Sequence, residues 1–569
     1  MRPSSYPETA FSFRPLSDGT SWDSGSACAS ALSIIGSDPR GALRKRIDRP
    51  GGPRPTNQDR RLAHSPVRPE KLRIKATGAI ADVHAMMALS QAGSRLPLKV
   101  LVPLIVACAL FMENLDATVL STALPAIAGD LHQSPIQLKL ALTSYLLTLG
   151  VFIPASGWVA DRWGARLIFR WAILIFALGS ALCGLANSMQ FLVAARALQG
   201  IGGAMMVPVG RLVILRSVSR SEMVGALAWL TIPALIGPVL GPPLGGFITT
   251  YYTWRWIFWI NLPIAALGII LASLFIPNLQ AENSQRFDFI GFVLSGLALS
   301  TLVAGSSAAD TPAIPLHITI VLFGIGITCS VLYYLHARRS PNPILDLNLL
   351  RLPTFRAGVA GGSLFRIGIG SMPLLLPLLF QLGFGFSPLS SGLMTFVAAI
   401  GAMGMKTAAG WILKRFGFRT TLAVNGLVCA LTLMAAAFFN HSTPILLMSL
   451  ILFVGGFFRS LQFTCINAIT FAEVEQPQMS QATSLSSVAQ QLSLSLGITV
   501  GAAVLQLTLN FHGEKDPTIS DFWLAFIVVG LISALSVFSF LKLHRDAGEE
   551  VAGRKRVASV QVNMNTVRS

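Results

Sequence analysis

The chain has 569 residues, of which 53% are hydrophobic and only 12% charged, with a mean hydropathy of +0.63 and a formal net charge of +18. A soluble protein carries about 25% charged residues. Apolar runs long enough to span a membrane recur between residues 98 and 542 with short, charge-poor connections, which excludes one large water-soluble core. The positive excess reads as membrane orientation and not as nucleic-acid binding, because Lys and Arg collect in the cytoplasmic loops of membrane proteins.

Residues 1–94 differ from the rest: they are rich in Ser, Pro, Gly and Arg and have no sustained apolar period. Such a composition cannot bury a core and is expected to be disordered. The first residues lack the apolar stretch of a secretory signal. Met86 or Met87 offers an alternative start, and a basic tail of this kind also suits contact with anionic lipid.

From Leu98 onward, spans are expected at 98–120, 136–157, 167–186, 190–210, 224–246, 255–276, 287–306, 316–336, 357–380, 389–411, 420–438, 444–466, 484–508 and 521–542. The class is thus an all-α polytopic membrane protein with fourteen helices. Loops after even-numbered spans hold most of the loop cations, among them Arg162, Arg166, Arg220, Arg286, Arg338, Arg339, Lys414, Arg415 and Arg419. Loops after odd-numbered spans hold little beyond Lys139, Arg255 and Lys515. Both termini are therefore expected in the cytoplasm. The loop 467–483 departs from the rule, with Glu473 and Glu475 in place of basic residues. The cysteines are scattered singly, with no spacing that suggests a metal site or redox pair.

"GWVADRWGAR" (157–166) closes the second span, and "GWILKRFGFR" (410–419) closes the tenth. Gly, Trp, Arg, Gly and Arg fall at the same offsets in both. Internal repeats at fixed topology mark secondary transporters. A shift of eight spans places two extra helices between two six-helix halves, a 6+2+6 arrangement. The expected parts are a tail 1–94, a first bundle 95–280, two inserted helices 281–340, a second bundle 341–545 and a cytoplasmic tail 546–569.

"LDATVLSTALP" (115–125), "GWVADRWGAR", "RALQGIGGA" (196–204), "GPVLGPPLGG" (237–246) and "WRWIFWINLP" (254–263) occur in order, and with them the chain resembles the major facilitator superfamily over residues 98–542. Within it, the likeness is to the fourteen-span drug/proton antiporter branch of the EmrB/QacA type, and "QGIGGAMMVPVGRL" is similar to members of the MdtD type. The resemblance implies a major facilitator fold, no enzymatic activity, and export of a small-molecule substrate coupled to protons across the bacterial inner membrane. Some relatives work with a periplasmic adaptor protein; no residue decides that here.

The residues give each motif a physical task. At the elbow, Gly157 and Gly164 supply permissive backbone, and Asp161 is expected to cap the third helix and to accept from a nearby arginine. The resemblance makes Asp161, Arg162 and Arg166 a cytoplasmic gate latch. Lys414 replaces the acid in the second copy. Gly237, Gly241 and Gly245 recur every fourth residue and let another helix approach closely, while Pro238, Pro242 and Pro243 remove backbone donors and are expected to bend the helix. The resemblance makes this the antiporter motif. Glu113 and Asp116 share one face of the first helix. By the resemblance, Asp116 and Arg196 belong to the proton-coupling machinery, with either carboxylate as the proton carrier.

Arg366, Lys406 and Arg459 lie in expected spans of the second half, where a charge at mid-bilayer costs about 2.5–3.5 kcal/mol and calls for a cavity or a partner. They suit an anion, so export of an organic anion or metal chelate stands beside export of drugs or other amphiphiles. Trp229, Phe380, Met394, Phe396 and Phe463 are candidate pocket residues. "GAMGMKT" (401–407) lacks the Gly before the Lys of a phosphate loop and lies in an apolar helix. No residue pattern calls for a cofactor or a metal.

Overall fold

The structure is a computed structural model that describes residues 98–217, 223–277, 287–309, 315–475, 478–513 and 517–552. The N-terminal tail 1–94, the alternative start, Arg220, Arg286, Lys515 and the end of the C-terminal tail lie outside the described residues, as does the Trp229 side chain.

Among the described residues every long element is an α-helix, the form that satisfies backbone donors within its own segment, as a lipid environment requires. In chain order these are α1 (Leu98–Asp130), α2 (Lys139–Trp163), α3 (Ala165–Gly184), α4 (Met189–Ser217), α5 (Met223–Tyr251), α6 (Trp256–Phe275), α7 (Phe289–Ala309), α8 (Leu316–Arg339) and α9 (Pro353–Gly383). A run Pro388–Ala435 follows, broken at Gly417 into α10 (388–416) and α11 (418–435). Then come α12 (Ile445–Thr470), α13 (Met479–His512) and α14 (Ile519–Leu541). Among the described residues, thirteen helices are long and apolar enough to cross a membrane. The 29-residue α5 holds the place of the fifth expected segment.

Two local readings change. The first helix runs ten residues past its expected end, through Pro125 to Asp130. Its last residue is tied down: Trp254 Nε1 donates to Asp130 Oδ2 at 3.2 Å, and Arg255 pairs with the same oxygen at 2.8 Å. The acidic loop after α12 also has a local cause. Glu473 Oε2 accepts from the Thr354 backbone N–H and hydroxyl at 3.2 and 2.8 Å, in the first turn of α9, where a negative charge is favoured.

The packing map repeats with a shift of eight helices. α1 packs on α5 and α6, and α9 packs on α13 and α14. α3 packs on α4, and α11 packs on α12, where Asn425 and Gln462 pair at 2.7 Å. The two sets meet side by side through α2 with α13 and α5 with α10. α7 and α8 pack on each other, and α7 also touches α2 and α13.

The elbows after α2 and α10 lie at one end of the bundle, here the elbow end; the loops after α1 and α5 lie at the far end. At the far end a single apolar core joins both sets, from Leu115–Leu131 of α1 to Leu374–Phe380 of α9 and Phe522–Val529 of α14. At the elbow end the core divides. One cluster draws only on α1–α6, around Phe169 and Phe176, and another only on the second set, around Phe365 and Phe418. The molecule is therefore closed at the far end and parted at the elbow end.

Candidate functional site

A cavity of about 610 Å³ lies between the two sets. α1 contributes Ala117, Thr118 and Ser121 to its wall, and α5 contributes Pro238 and Pro242. Across from them stand Met372 of α9, Lys406 of α10, and Arg459, Phe463 and Asn467 of α12. Four contacts between the sets close it at the far end. Gln381 Nε2 donates to the Thr122 carbonyl at 2.9 Å, and Leu389 N–H donates to Thr250 Oγ1 at 3.1 Å. The backbones of Gly246 and Gly392 face Pro388 and Pro242 across the same seam. On the other side the lining reaches Asn467, one turn from the elbow end of α12.

Asp116 and Arg196, which the resemblance assigns to one machinery, form an ion pair inside the first set, off the cavity wall on the Asp116 side. Arg196 pairs with Asp116 Oδ2 at 2.6 Å, with both side chains almost fully buried. Gln199 and Asn261 donate to Oδ1 at 2.9 and 3.1 Å. Asn261 also donates to Ser180 Oγ at 3.0 Å, and Ser180 donates to the Phe258 carbonyl at 2.8 Å. The guanidinium is completed by Gln199 Oε1 at 2.6 Å, the Ala141 carbonyl at 3.2 Å and the Tyr145 ring at 4.4 Å. A buried ion pair is favoured when hydrogen bonds satisfy its remaining positions; here both Asp116 oxygens and the Nε and Nη1 of Arg196 are held by groups on α2, α4 and α6, and α3 in turn holds Asn261. Gln199, Asn261, Ser180 and Tyr145 escaped the sequence reading. The signal was present: Gln199 is one turn after Arg196, and Asn261 lies in the apolar "WINLP". Glu113, one turn before Asp116, is 9% exposed, and its Oε2 is buried without a hydrogen-bond partner.

The elbow is a one-residue turn. Gly164 has φ +96° and donates to the Ala160 carbonyl at 2.9 Å, ending α2 and starting α3. Gly417 holds the matching place in the second copy with φ +73°. Both demand glycine. Gly157 does not; a Cβ there would meet nothing within 4 Å. The expected cap fails: α3 begins at Gly164 with no side-chain cap, because Asp161 is still inside the last turn of α2. Arg162 is exposed, and Arg166 donates to the Ser273 carbonyl at the end of α6.

On α5 the three spaced glycines face α1 in register. A Cβ on Gly237 would sit 3.0 Å from the Phe111 carbonyl oxygen, one on Gly241 would sit 2.0 Å from Thr118 Oγ1, and one on Gly245 would sit 2.5 Å from Thr122 Oγ1. α5 stays one continuous helix through its prolines.

Of the three second-set cations, Lys406 and Arg459 line the cavity, while Arg366 does not. Arg366 is 1% exposed and stands behind the wall, donating to Asn467 at 3.2 Å with its guanidinium 5.8 Å from the Phe463 ring. Among the described residues the lining holds no Asp or Glu. Of the candidate aromatic and Met residues, Phe463 lines the wall; Phe380 and Met394 are packed into the far-end core, and Phe396 is half-buried elsewhere.

Residues 106–498 match the family profile described as Major Facilitator Superfamily. The chain is 39% identical over 464 residues, 80% of its length and 97% of the relative's, to the "Putative multidrug resistance protein MdtD" of Escherichia coli O9:H4 (strain HS). It matches the protein of that name from Shigella boydii serotype 18 (strain CDC 3083-94 / BS512) to the same extent. Among solved structures, it is similar to the human organic anion transporter MFSD10 (TETRAN), with TM-score 0.52, 17% identity and coverage of 78% of this chain and 100% of that one. It is also similar to a D-xylose-proton symporter, with TM-score 0.57, 16% identity and coverage of 79% and 98%. At these identities the structural likeness concerns the fold alone. The chain belongs to the major facilitator superfamily, as a polytopic helical membrane transporter of small molecules and not an enzyme.

Proposed function

We propose that this transporter exports amphiphilic small molecules from the bacterial cytoplasm in exchange for protons. Its spans are fourteen, arranged as α1–α6, an inserted α7–α8 pair and α9–α14, with the elbow end and both termini cytoplasmic. The carrying observation is the cavity of about 610 Å³ between two sets of like packing, sealed at the far end. That volume is in the range of about 300–1,000 Å³ typical of small-molecule sites. The basic elbows argue for a cytoplasmic opening, and the multidrug-resistance name of the relatives supports export. The elbow residues Gly157, Asp161, Arg162, Gly164 and Arg166 would gate that opening, and Gly237, Pro238, Gly241, Pro242 and Gly245 would hold α5 against α1 as the cavity changes access.

A second reading is export of an organic anion or metal chelate. It is favoured by Lys406 and Arg459 on a wall with no acid among the described residues. Full-length protein in liposomes under an imposed pH gradient tests both, with cationic ethidium and anionic carboxyfluorescein as probes. Gradient-driven movement of either dye, abolished by a protonophore, is the expected result. Loss of carboxyfluorescein movement alone in Lys406→Ala with Arg459→Ala selects the anion. Facilitated flux that ignores the gradient would refute coupling.

A further inference from the structure

Two carboxyl groups lie one turn apart on α1, and their surroundings differ. Both oxygens of Asp116 are occupied, by Arg196, Gln199 and Asn261. All these partners belong to the first set, so motion of one set against the other leaves them in place. Freeing Asp116 for a proton would instead break a network that reaches α3, α4 and α6.

Glu113 is the opposite case. It begins the row Glu113, Ala117 and Ser121 along α1, and the other two members line the cavity. It lies one turn nearer the elbow end than Asp116, where the two sets have separate cores. Its Oε2 is buried with no donor in reach. The ionisable groups acting on it are Asp116 on its own helix, Arg211 on α4 and Tyr145 on α2. Tyr145 has a buried hydroxyl that is also without a partner. Arg196 on α4 is already paired with Asp116. α5, α6 and the Met372–Leu378 stretch of α9 carry no Asp, Glu, Lys, Arg or His. Lys406 of α10 lines the same cavity from the facing set.

We infer that Glu113 carries the coupled proton and that Asp116 is a positioning residue that fixes Arg196. The inference rests on the proton-coupled reading above. A buried carboxyl whose Oε2 has no donor is held more easily as the neutral acid than as the carboxylate. Water reaching it lets the O–H bond break, and the proton leaves to that water. Closing the elbow end and opening the far end lets the bond form again with a proton from the other side. No other bond changes.

The test uses full-length protein in liposomes with ethidium as probe, and Glu113→Gln, Glu113→Asp and Asp116→Asn as variants. Gradient-driven uptake is compared with ethidium counterflow, which needs no net proton movement. Glu113→Gln is expected to lose about a hundredfold in gradient-driven rate while counterflow persists, and Glu113→Asp to recover drive. Asp116→Asn is expected to weaken both. Unimpaired drive in Glu113→Gln overturns the inference and leaves coupling standing. Counterflow without any gradient response in the unaltered protein removes coupling, and the inference with it. Infrared spectra of the lipid-embedded chain give a readout independent of transport. A protonated-carboxyl C=O stretch at neutral pH should vanish in Glu113→Gln, and its persistence there overturns the inference.

Discussion

Replacing Gly241 by Ala tests the α1–α5 contact most directly. A Cβ at that position would lie 2.0 Å from Thr118 Oγ1 and 2.8 Å from Thr118 Cβ, well inside the 3.4 Å at which ordinary contact begins. The hydroxyl cannot drift aside freely, because it donates to the carbonyls of Asn114 and Leu115 at 2.9 and 3.0 Å. Either the rotamer turns and both bonds go, or the helices part. Overpacking of this kind costs about 1–3 kcal/mol. In an open helix the same change gains about 0.5–1 kcal/mol, so the sign itself is diagnostic. Thermal melting of the detergent-solubilised protein should drop by a few degrees, at about 2–4 °C per kcal/mol for domains of 150–250 residues. Thr118→Ala removes the nearest atom, so the double variant should recover most of the loss, a coupling of about 1 kcal/mol or more. A Gly241→Ala protein as stable as the original, or a strictly additive pair, would refute close packing of α5 on α1 at this position.

Gly164→Ala and Gly417→Ala should each cost about 1–2 kcal/mol, the penalty of a side chain in left-handed backbone, while Gly410→Ala, where a Cβ meets nothing within 4 Å, should be neutral or better. Melting curves of the three variants separate them. Arg196→Ala strands Asp116 in the interior and should cost about 3–5 kcal/mol; adding Asp116→Asn should restore part of it in the same assay, and a lone Arg196→Ala protein with unchanged melting would speak against the pair.

The positions of the helices were legible because lipid leaves so little choice: a run of apolar residues must close its own hydrogen bonds. The Gly157–Arg166 repeat announced the internal symmetry, and Gly164 and Gly417 adopt the left-handed backbone only glycine takes cheaply. Asp116 and Arg196 were legible as buried charges in apolar helices, and the family motifs they sit in assigned them to one machinery. Their amide partners were not, since Gln199 and Asn261 carry no charge and their role depends on the rotation of α4 and α6. Arg366 shows the same limit: its place in an expected span put it in the second half, but only the turn of α9 decides whether it faces the cavity or stands behind Asn467. Asp161 was misplaced as a cap because helix ends drift by one or two residues from sequence.

The inserted helices have a mechanical meaning. α7 and the residues just before it lean on α2 through Phe152–Phe292 and Trp158–Phe287 ring contacts, at 5.7 and 4.7 Å. α8 and the loop after it share a buried cluster with α13, built on Tyr333, Leu345, Ala482 and Leu485, where Tyr333 and Leu345 exchange two hydrogen bonds. The pair is thus a brace bolted to both sides of one joint. Under the proposed exchange of access the brace must shift against at least one neighbour: it meets α2 through aromatic rings and α13 through the apolar faces of Ala482 and Leu485, while the Tyr333–Leu345 hydrogen bonds lie inside the inserted segment and travel with it.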